Sequence, residues 1–244
     1  MRIDLNIDAA ESPADLELFS VATSVNLACG FHAGDTTLML RAAIRAAELG
    51  ILIGAHPGYA DRAGFGRIEH GHTPARIEAD TLQQLRTLDA IIRRVGAVIT
   101  HVKPHGALYN RVAVDPEAAR AVARAAAAFR PGLKLYALGG PGFGSIVEAV
   151  GDLEVTPVPE AFPDRAYMSN GTLAPRQLQG ALITSPAAAA AQAVAFATGG
   201  SISTLDGGSL SIEAATLCVH GDGPAALETA RAIRRSLDRL VQDA

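Results

Sequence analysis

Side chains able to transfer protons or bind ions recur along this chain, each time near the end of a short apolar run. They are Asn6, Asp8, Asn26, His32, Asp35, His56, Lys103, His105, Glu160, Asp164, Arg165, His220 and Asp222. Histidine and carboxylate groups serve in acid–base catalysis or as metal ligands, and lysine and arginine bind anions. His101 and His105 are four residues apart, but Pro104 lies between them, so the pair is not a helical zinc motif. The chemistry therefore depends on a fold that brings distant residues together.

The apolar runs are short enough to be strands, and helical patterns separate them. Strands are predicted at 3–7, 24–28, 51–55, 97–102, 134–138, 153–157 and 217–220. Helices are predicted after Asp35, Thr73, Asp115 and Ser185, because an N-cap residue, in the last three cases with proline behind it, is a typical helix start. This alternation predicts βαβ units in a parallel sheet whose faces are both covered. We predict one α/β domain over residues 1–244, with a β-hairpin inserted at 199–216.

In a parallel α/β barrel the carboxyl ends of the strands meet at one mouth, where the loops carry the active site. We therefore expect the polar residues at the strand ends to share one pocket. Several of them also have a structural interpretation when taken alone. Asp35 fits a helix N-cap, His56 fits a turn, and His101 fits a structural role within its strand. His70 and His72 are expected on the surface.

Two glycine-rich stretches are candidate anion sites. Residues 61–67 include Gly64, Gly66 and Arg67, and residues 139–145 follow a predicted strand and open a helix. Backbone N–H groups in such loops bind phosphate, but glycines also serve tight turns that require a positive φ. Neither stretch is a Walker A loop or a dinucleotide fingerprint, and both interpretations stay open.

Charge and composition exclude several function classes. The formal net charge is −4, from 21 basic and 25 acidic residues, and no basic stripe predicts nucleic-acid binding. Two cysteines, Cys29 and Cys218, are typical of a reducing compartment. No apolar run reaches membrane-spanning length, and the first residues carry charge where a signal peptide would be apolar. We predict a soluble cytoplasmic protein; a homo-oligomer is left open.

Several segments together resemble the LamB/YcsF family, known as the A subunit of 5-oxoprolinase. The most specific are NLACGFHAGD at 26–35 and KPHGALYN at 103–110. The others, in the family's order, are DLNID at 4–8, GAHPGY at 54–59, GFGR at 64–67, EAFPDR at 160–165, GTL at 171–173 with Arg176 behind it, and CVHGD at 218–222. The first motif departs from the family, because Ile7 replaces its usual Cys and Ala10 its usual Gly, while Glu11 is retained.

The resemblance implies a seven-stranded TIM-like β/α barrel similar to the glycoside hydrolase/deacetylase superfamily. It also implies an activity, the ATP-driven opening of the lactam 5-oxoproline to glutamate together with separate subunits B and C. ATP, with Mg²⁺, is the expected cofactor.

Hydrolysis of a stable lactam gains from phosphorylation of the carbonyl oxygen, which requires anion-binding groups and an acid–base pair. We assign Lys103, Arg67, Arg165 and Arg176 to anionic groups of nucleotide or substrate. Asp8, His32, His56 and His105 are candidates for proton transfer or for a divalent ion, and Lys103 belongs with this catalytic set. The metal stays unassigned, because Mg²⁺ prefers oxygen ligands. The remaining substrate- or nucleotide-binding candidates are Asn6, Asn26, Asp35, Gly64, Gly66, Tyr109, Glu160, Asp164, His220 and Asp222.

Two other functions remain open at this stage. The chain could be a stand-alone metal-dependent amidohydrolase or deacetylase that needs no ATP, or a non-catalytic binding subunit, because fold alone does not fix function. Dependence on ATP, on partner subunits and on chelators separates the three.

Overall fold

The computed structural model describes residues 3–220 and 225–242. Its strands are β1 (Asp4–Ala9), β2 (Ser24–Ala28), β3 (Leu52–His56), β4 (Ile99–Val102), β5 (Leu133–Leu138), β6 (Val155–Ala161), β7 (Ser201–Ser203), β8 (Ser209–Ser211) and β9 (Thr216–Val219). In this part of the chain, seven parallel strands form a closed barrel in the order β1-β2-β3-β4-β5-β6-β9. Strands β7 and β8 pair as an antiparallel hairpin, which confirms the predicted insertion.

Helices follow most of the barrel strands and cover its outside. They are α1 (Thr36–Leu49), α2 (Pro74–Ile92), α3 (Gly106–Val112), α4 (Pro116–Phe129), α5 (Phe143–Val150), α6 (Pro186–Thr198) and α7 (Ala226–Gln242), with 3₁₀ turns at Pro13–Ser20 and Arg93–Val95. The four predicted N-caps, Asp35, Thr73, Asp115 and Ser185, each accept a hydrogen bond from the first turn of their helix. Among the helices described, none combines the length and the apolar character needed to cross a membrane.

Strand β1 shows how the sequence divides its two faces. Leu5, Ile7 and Ala9 are fully buried in the hydrophobic core between the barrel and its helices. Asn6 lies on the other face and donates hydrogen bonds to Glu160 on β6 and Thr216 on β9, so it points into the barrel. Because successive side chains of a strand alternate between faces, Asp4 and Asp8 share the barrel interior with Asn6. The interior of this barrel is therefore polar from end to end.

The sixth strand is longer than its predicted range of 153–157. It continues to Ala161, so Glu160 lies within the strand and not in the loop that follows it. Proline cannot donate to a sheet ladder, so Pro157 and Pro159 give no sequence signal for a continuing strand. Pro159 is tolerated here since β6 pairs with β9 only at Glu160 and Ala161, beyond the prolines.

Candidate active site

The carboxyl ends of the barrel strands surround one cavity of about 630 Å³. Nine of the predicted site residues line it: Asp8, His56, Arg67, Lys103, His105, Tyr109, Arg165, Arg176 and His220. They come from different strands and loops, from β1 to the end of β9. The convergence expected from the positions of these residues in the sequence is therefore present.

Three histidines and one glutamate form a compact cluster on one side of the cavity. Glu11 Oε1 lies 3.1 Å from His32 Nε2, 3.0 Å from His105 Nδ1 and 3.6 Å from His56 Nε2. The rings of His32 and His105 are stacked in parallel, with 3.8 Å between their centroids. Burial would raise the pKa of Glu11, but its hydrogen bonds with His105 and His32 hold that pKa far below its usual value. Burial lowers the pKa of His32 to about 3. We call these four residues the histidine cluster.

Glu11 was not among the residues selected from the sequence, although it was noted within the first motif. It follows β1 after Ala10, whose φ of 59° is in the left-handed region. Glycine adopts a positive φ at little cost, which agrees with the glycine that the family resemblance implies at this position. The available signal was a carboxylate two residues beyond the end of a barrel strand.

Lys103 is buried in the floor of the cavity between two carboxylates. Its Nζ lies 2.9 Å from Asp8 Oδ1, 3.2 Å from Glu160 Oε1 and 2.8 Å from the Sγ of Cys218. Burial opposes its charge, but Asp8, Cys218 and Glu160 raise its pKa well above the usual value. Burial would also raise the pKa of Asp8, which His56 and Lys103 instead hold well below normal. Glu160 differs, because burial raises its pKa.

A second layer of polar residues lies beneath this floor. Asn26 Nδ2 donates to Asp8 Oδ1 at 2.8 Å, and Asn6 Nδ2 donates to Glu160 Oε1 at 2.7 Å. His101 Nε2 lies 2.8 Å from the Oδ1 of Asn26. Neither asparagine lines the cavity. Asn26 orients Asp8, which does line it, and Asn6 orients Glu160, which supports its floor. His101 is fully buried within its strand and positions Asn26, as the structural interpretation predicts.

Three arginines also belong to the lining of the cavity. Arg67, Arg165 and Arg176 all line it. Burial, and then the nearby charge of Arg176, lower the pKa of Arg165 to about 10. The Arg165 side chain is held by a 2.7 Å hydrogen bond from its guanidinium to the carbonyl of Ala174, while its Nε has no hydrogen-bond partner among the described residues. An anion in this part of the cavity would relieve the repulsion between the guanidinium groups.

Asp164 and His220 form a pair at the rim. Asp164 Oδ2 accepts from the backbone N–H of His220 and lies 2.9 Å from its Nδ1. Burial would raise the pKa of Asp164, but His220 lowers it. The carboxylate fixes the orientation of the imidazole, which lines the cavity.

Three other predicted site residues do not line the cavity. Asp35 is exposed and caps α1 through Leu38 N–H. Gly64 and Gly66 belong to a tight turn, and their N–H groups donate to the side chain and the backbone carbonyl of Asp61, so these two amides are occupied within the loop. Asp222 lies outside the described residues.

The segment at residues 12–21, which is shorter than the family resemblance implies, also reaches the pocket. Ser12 begins a 3₁₀ turn by a reciprocal cap with Asp15. Both residues line the cavity, next to Glu11. This segment therefore forms part of one cavity wall.

A sequence model of the LamB/YcsF family matches residues 3–242. A protein of Heliobacterium modesticaldum named as the A subunit of 5-oxoprolinase is 48% identical, over 98% of this chain and 95% of its own length. A Pseudomonas aeruginosa protein, named as a third 5-oxoprolinase A subunit, is 43% identical, over 98% of each chain.

Solved structures show the same similarity. The crystal structure of a lactam utilization protein from Thermus thermophilus matches with a TM-score of 0.90 and 43% identity, over 99% of this chain and 98% of that one. A protein of Enterococcus faecalis described as a putative cellobiose-phosphate cleavage protein is 11% identical and matches with a TM-score of 0.55, over 98% of this chain and 93% of that one. At that identity the second match concerns the fold alone.

Proposed function

This chain belongs to the LamB/YcsF family, and from that membership we propose that it is the A subunit of an ATP-dependent 5-oxoprolinase, a hydrolase that opens the lactam 5-oxo-L-proline to L-glutamate. Relatives that carry the name of this 5-oxoprolinase component match it over nearly their full length. The observation that carries the proposal is the cavity at the barrel mouth, which is lined by two chemically unlike sets of side chains. One set consists of arginines, and the other consists of acid–base groups.

The three arginines are suited to binding the anionic groups of the reactants. 5-Oxoproline carries a carboxylate, and an activated lactam would carry a phosphoryl group on its carbonyl oxygen. Arg165, Arg67 and Arg176 present guanidinium groups, whose planar donors bind carboxylate or phosphate oxygens in pairs. We assign these three residues to the carboxylate or phosphate groups.

The acid–base groups of the cavity are suited to cleaving the amide bond. Ring opening requires a base that activates water at the carbonyl carbon and an acid that protonates the departing nitrogen. Asp8, His56, His105 and Glu11 line the same part of the cavity, and each lies in contact with the next. His220, oriented by Asp164, is a second candidate acid at the rim.

Lys103 receives a different role from the one expected from the sequence. Its charge is already balanced by Asp8 and Glu160, and its ammonium group is buried. We therefore assign it to holding Asp8 ionised and oriented, and leave anion binding to the arginines.

ATP with Mg²⁺, and subunits B and C, complete the proposal. The names of the relatives, which describe one component of an enzyme, support the existence of partner chains. Phosphorylation makes the carbonyl oxygen a better leaving group, which supplies the reason for ATP.

The test is 5-oxoproline-dependent ATP hydrolysis and glutamate formation, measured for the chain alone and together with subunits B and C. We expect turnover only in the complete mixture with ATP. Arg176→Ala should raise KM for 5-oxoproline about 10-fold or more, as loss of a charge-assisted contact does. Its matched control is Arg45→Ala, because Arg45 is on the outer surface of α1.

Three results would contradict the proposal. Glutamate formation by the chain alone without ATP would indicate a stand-alone hydrolase. Full activity of subunits B and C without this chain would show that the chain takes no part in the reaction. Unchanged turnover after substitution of His56 and His105 together would indicate a non-catalytic role.

A further inference from the structure

The histidine cluster contains a contact that hydrogen bonding between neutral side chains cannot explain. His56 Nδ1 lies 2.7 Å from the backbone carbonyl of Lys103, and His105 Nε2 lies 2.8 Å from that of Phe65. A carbonyl oxygen only accepts, so both of these ring nitrogens carry hydrogen. The other two nitrogens, His56 Nε2 and His105 Nδ1, then present lone pairs to each other at 3.0 Å. A cation between them, either a proton or a metal ion, is required to remove this repulsion.

Two further ligand atoms point at the same place. Glu11 Oε1 and His32 Nε2 join the two lone-pair nitrogens, and all four atoms lie within 4.8 Å of one another. Atoms bound at about 2.1 Å to one ion lie about 3.0 Å apart in octahedral geometry and about 3.4 Å in tetrahedral geometry. Four of the six separations among these atoms are 3.0, 3.0, 3.1 and 3.6 Å. A single proton would link two of the four atoms, whereas a metal ion accounts for all of them.

The surroundings hold this arrangement in place. The two backbone carbonyls fix the tautomers of His56 and His105 in the way that outer-shell partners orient metal-binding histidines. Glycines make room for the stacked rings: a Cβ at Gly58 would lie 2.8 Å from His32 Nδ1, and one at Gly66 would lie 2.9 Å from His105 Cδ2. These carbonyls and glycines therefore hold the rings of the cluster in place without contacting its four ligand atoms.

We propose that Glu11, His32, His56 and His105 bind one divalent transition-metal ion, of which Zn²⁺ is the representative. Three imidazoles and one carboxylate favour ions of this class over Mg²⁺, which prefers oxygen ligands. This assignment takes Glu11 in place of Asp8, which the sequence offers as a candidate for proton transfer or for a divalent ion. Asp8 Oδ1 is engaged by Lys103 and Asn26, and Asp8 stands beside the site as a neighbour of His56.

The use of this ion rests on the proposed function. Glu11, His56 and His105 line the cavity, so the bound ion faces it. A lactam whose carboxylate lies on the arginines can direct its carbonyl oxygen toward the cluster, where a cation would polarise it. Binding of the ion itself does not depend on that role.

The site is tested on the full chain without partners or substrate. The protein is freed of metal with EDTA, then titrated separately with Zn²⁺ and Co²⁺, and the retained metal is measured by mass spectrometry after gel filtration. We expect one equivalent per chain, a rise in Tm, and visible Co²⁺ absorption. Glu11→Gln and His105→Ala should weaken binding by about 100-fold or more, since even outer-shell changes cost roughly 10–100-fold. The matched control is His70→Ala, because His70 is an exposed histidine outside the cluster.

The alternative is a shared proton in the cluster in place of a metal ion, and it predicts the opposite results. Wild-type protein that retains no metal, with an imidazole NMR signal showing one shared proton between His56 and His105, would overturn the proposal. Equal metal retention by wild type, Glu11→Gln and His105→Ala would also overturn it. The metal titration of wild-type protein decides the matter even if a variant fails to fold. Failure of the proposed function is distinct: it would appear as metal binding with no 5-oxoproline turnover, whereas failure of this site would appear as turnover in protein without bound metal.

Discussion

The lower interior of the barrel and its mouth are both polar, but their hydrogen bonding differs. In the lower interior, Asp4 accepts from Ser24 and Tyr136, and His101 has partners on both ring nitrogens. Each of these donors faces an acceptor. At the mouth, similar groups face one another: imidazole lone pairs meet in the histidine cluster, and Arg165 lies near the like charge of Arg176. A polar network whose hydrogen bonds are completed on folding stabilises the barrel. A network in which like groups face each other is suited to binding a ligand.

Lys103 joins the two regions, and its removal should have the largest effect. Lys103→Met leaves Asp8 and Glu160 buried without their cation, which should reduce the free energy of unfolding by roughly 3–5 kcal/mol. Urea unfolding measures this change. Lys134→Met is the matched control, because Lys134 is the other lysine and is exposed on β5. Adding Asp8→Asn and Glu160→Gln to Lys103→Met should restore much of the loss. Equal stability of the two lysine variants would contradict the role of Lys103 as counter-ion.

Gly54 tests how tightly the lower interior is packed. A Cβ at this position would lie 2.1 Å from His101 Nε2, and the imidazole is held by Asn26 and by stacking on Tyr136. Gly54→Ala should therefore cost about 1–3 kcal/mol of unfolding free energy, the usual range for an overpacked core.

A double-mutant cycle identifies the cause. If the clash is with the imidazole, Gly54→Ala should cost much less in a His101→Ala background than in wild type. Gly144→Ala is the control, since a Cβ there meets no atom within 4 Å. Additive effects of Gly54→Ala and His101→Ala would show that the ring is not responsible.

The barrel could be predicted from the sequence because its signals are local. Apolar runs, proline-supported N-caps and the turn at Asp206-Gly207 each act within a few residues, and the structure contains the corresponding elements. The mouth could be predicted as a place, since the strand ends converge in any parallel barrel. Both results depend on spacing along the chain.

The partners within the mouth could not be predicted, because they depend on three-dimensional register. Glu11 was missed as a site residue because its contacts with the three histidines of the cluster join residues that are far apart in the sequence. Lys103 was expected to be available for anions, and its pairing with Glu160 requires β4 and β6 to lie on either side of β5 with both side chains pointing into the barrel. Asp35 was selected with the catalytic motif around it, although its own side chain serves the helix.

The pH dependence of stability separates the buried network from the surface. Burial lowers the pKa of His101 to about 3, while the unfolded value is about 6.5. Below pH 6.5 the unfolded chain therefore binds a proton that the folded chain excludes, and His101 costs about 1.4 kcal/mol of stability per pH unit as the pH falls toward 3. His101→Gln should show a shallower decline than wild type in urea unfolding at pH 7, 6 and 5. His70→Gln, on the surface, should follow the wild-type decline. Parallel curves for all three proteins would show that the pKa of His101 is the same in the folded and the unfolded chain.

Asp35 gives the smallest effect and tests whether a catalytic motif and its chemistry coincide. Because it caps α1 from an exposed position and does not line the cavity, Asp35→Ala should cost about 1 kcal/mol of stability and leave turnover and metal content unchanged. Asp35→Ser keeps a capping oxygen without the charge, so it should recover most of that stability. If the carboxylate instead acted on a ligand, Asp35→Ser and Asp35→Ala would lose turnover equally while differing in Tm. The two readouts therefore assign this side chain either to the helix or to the mouth.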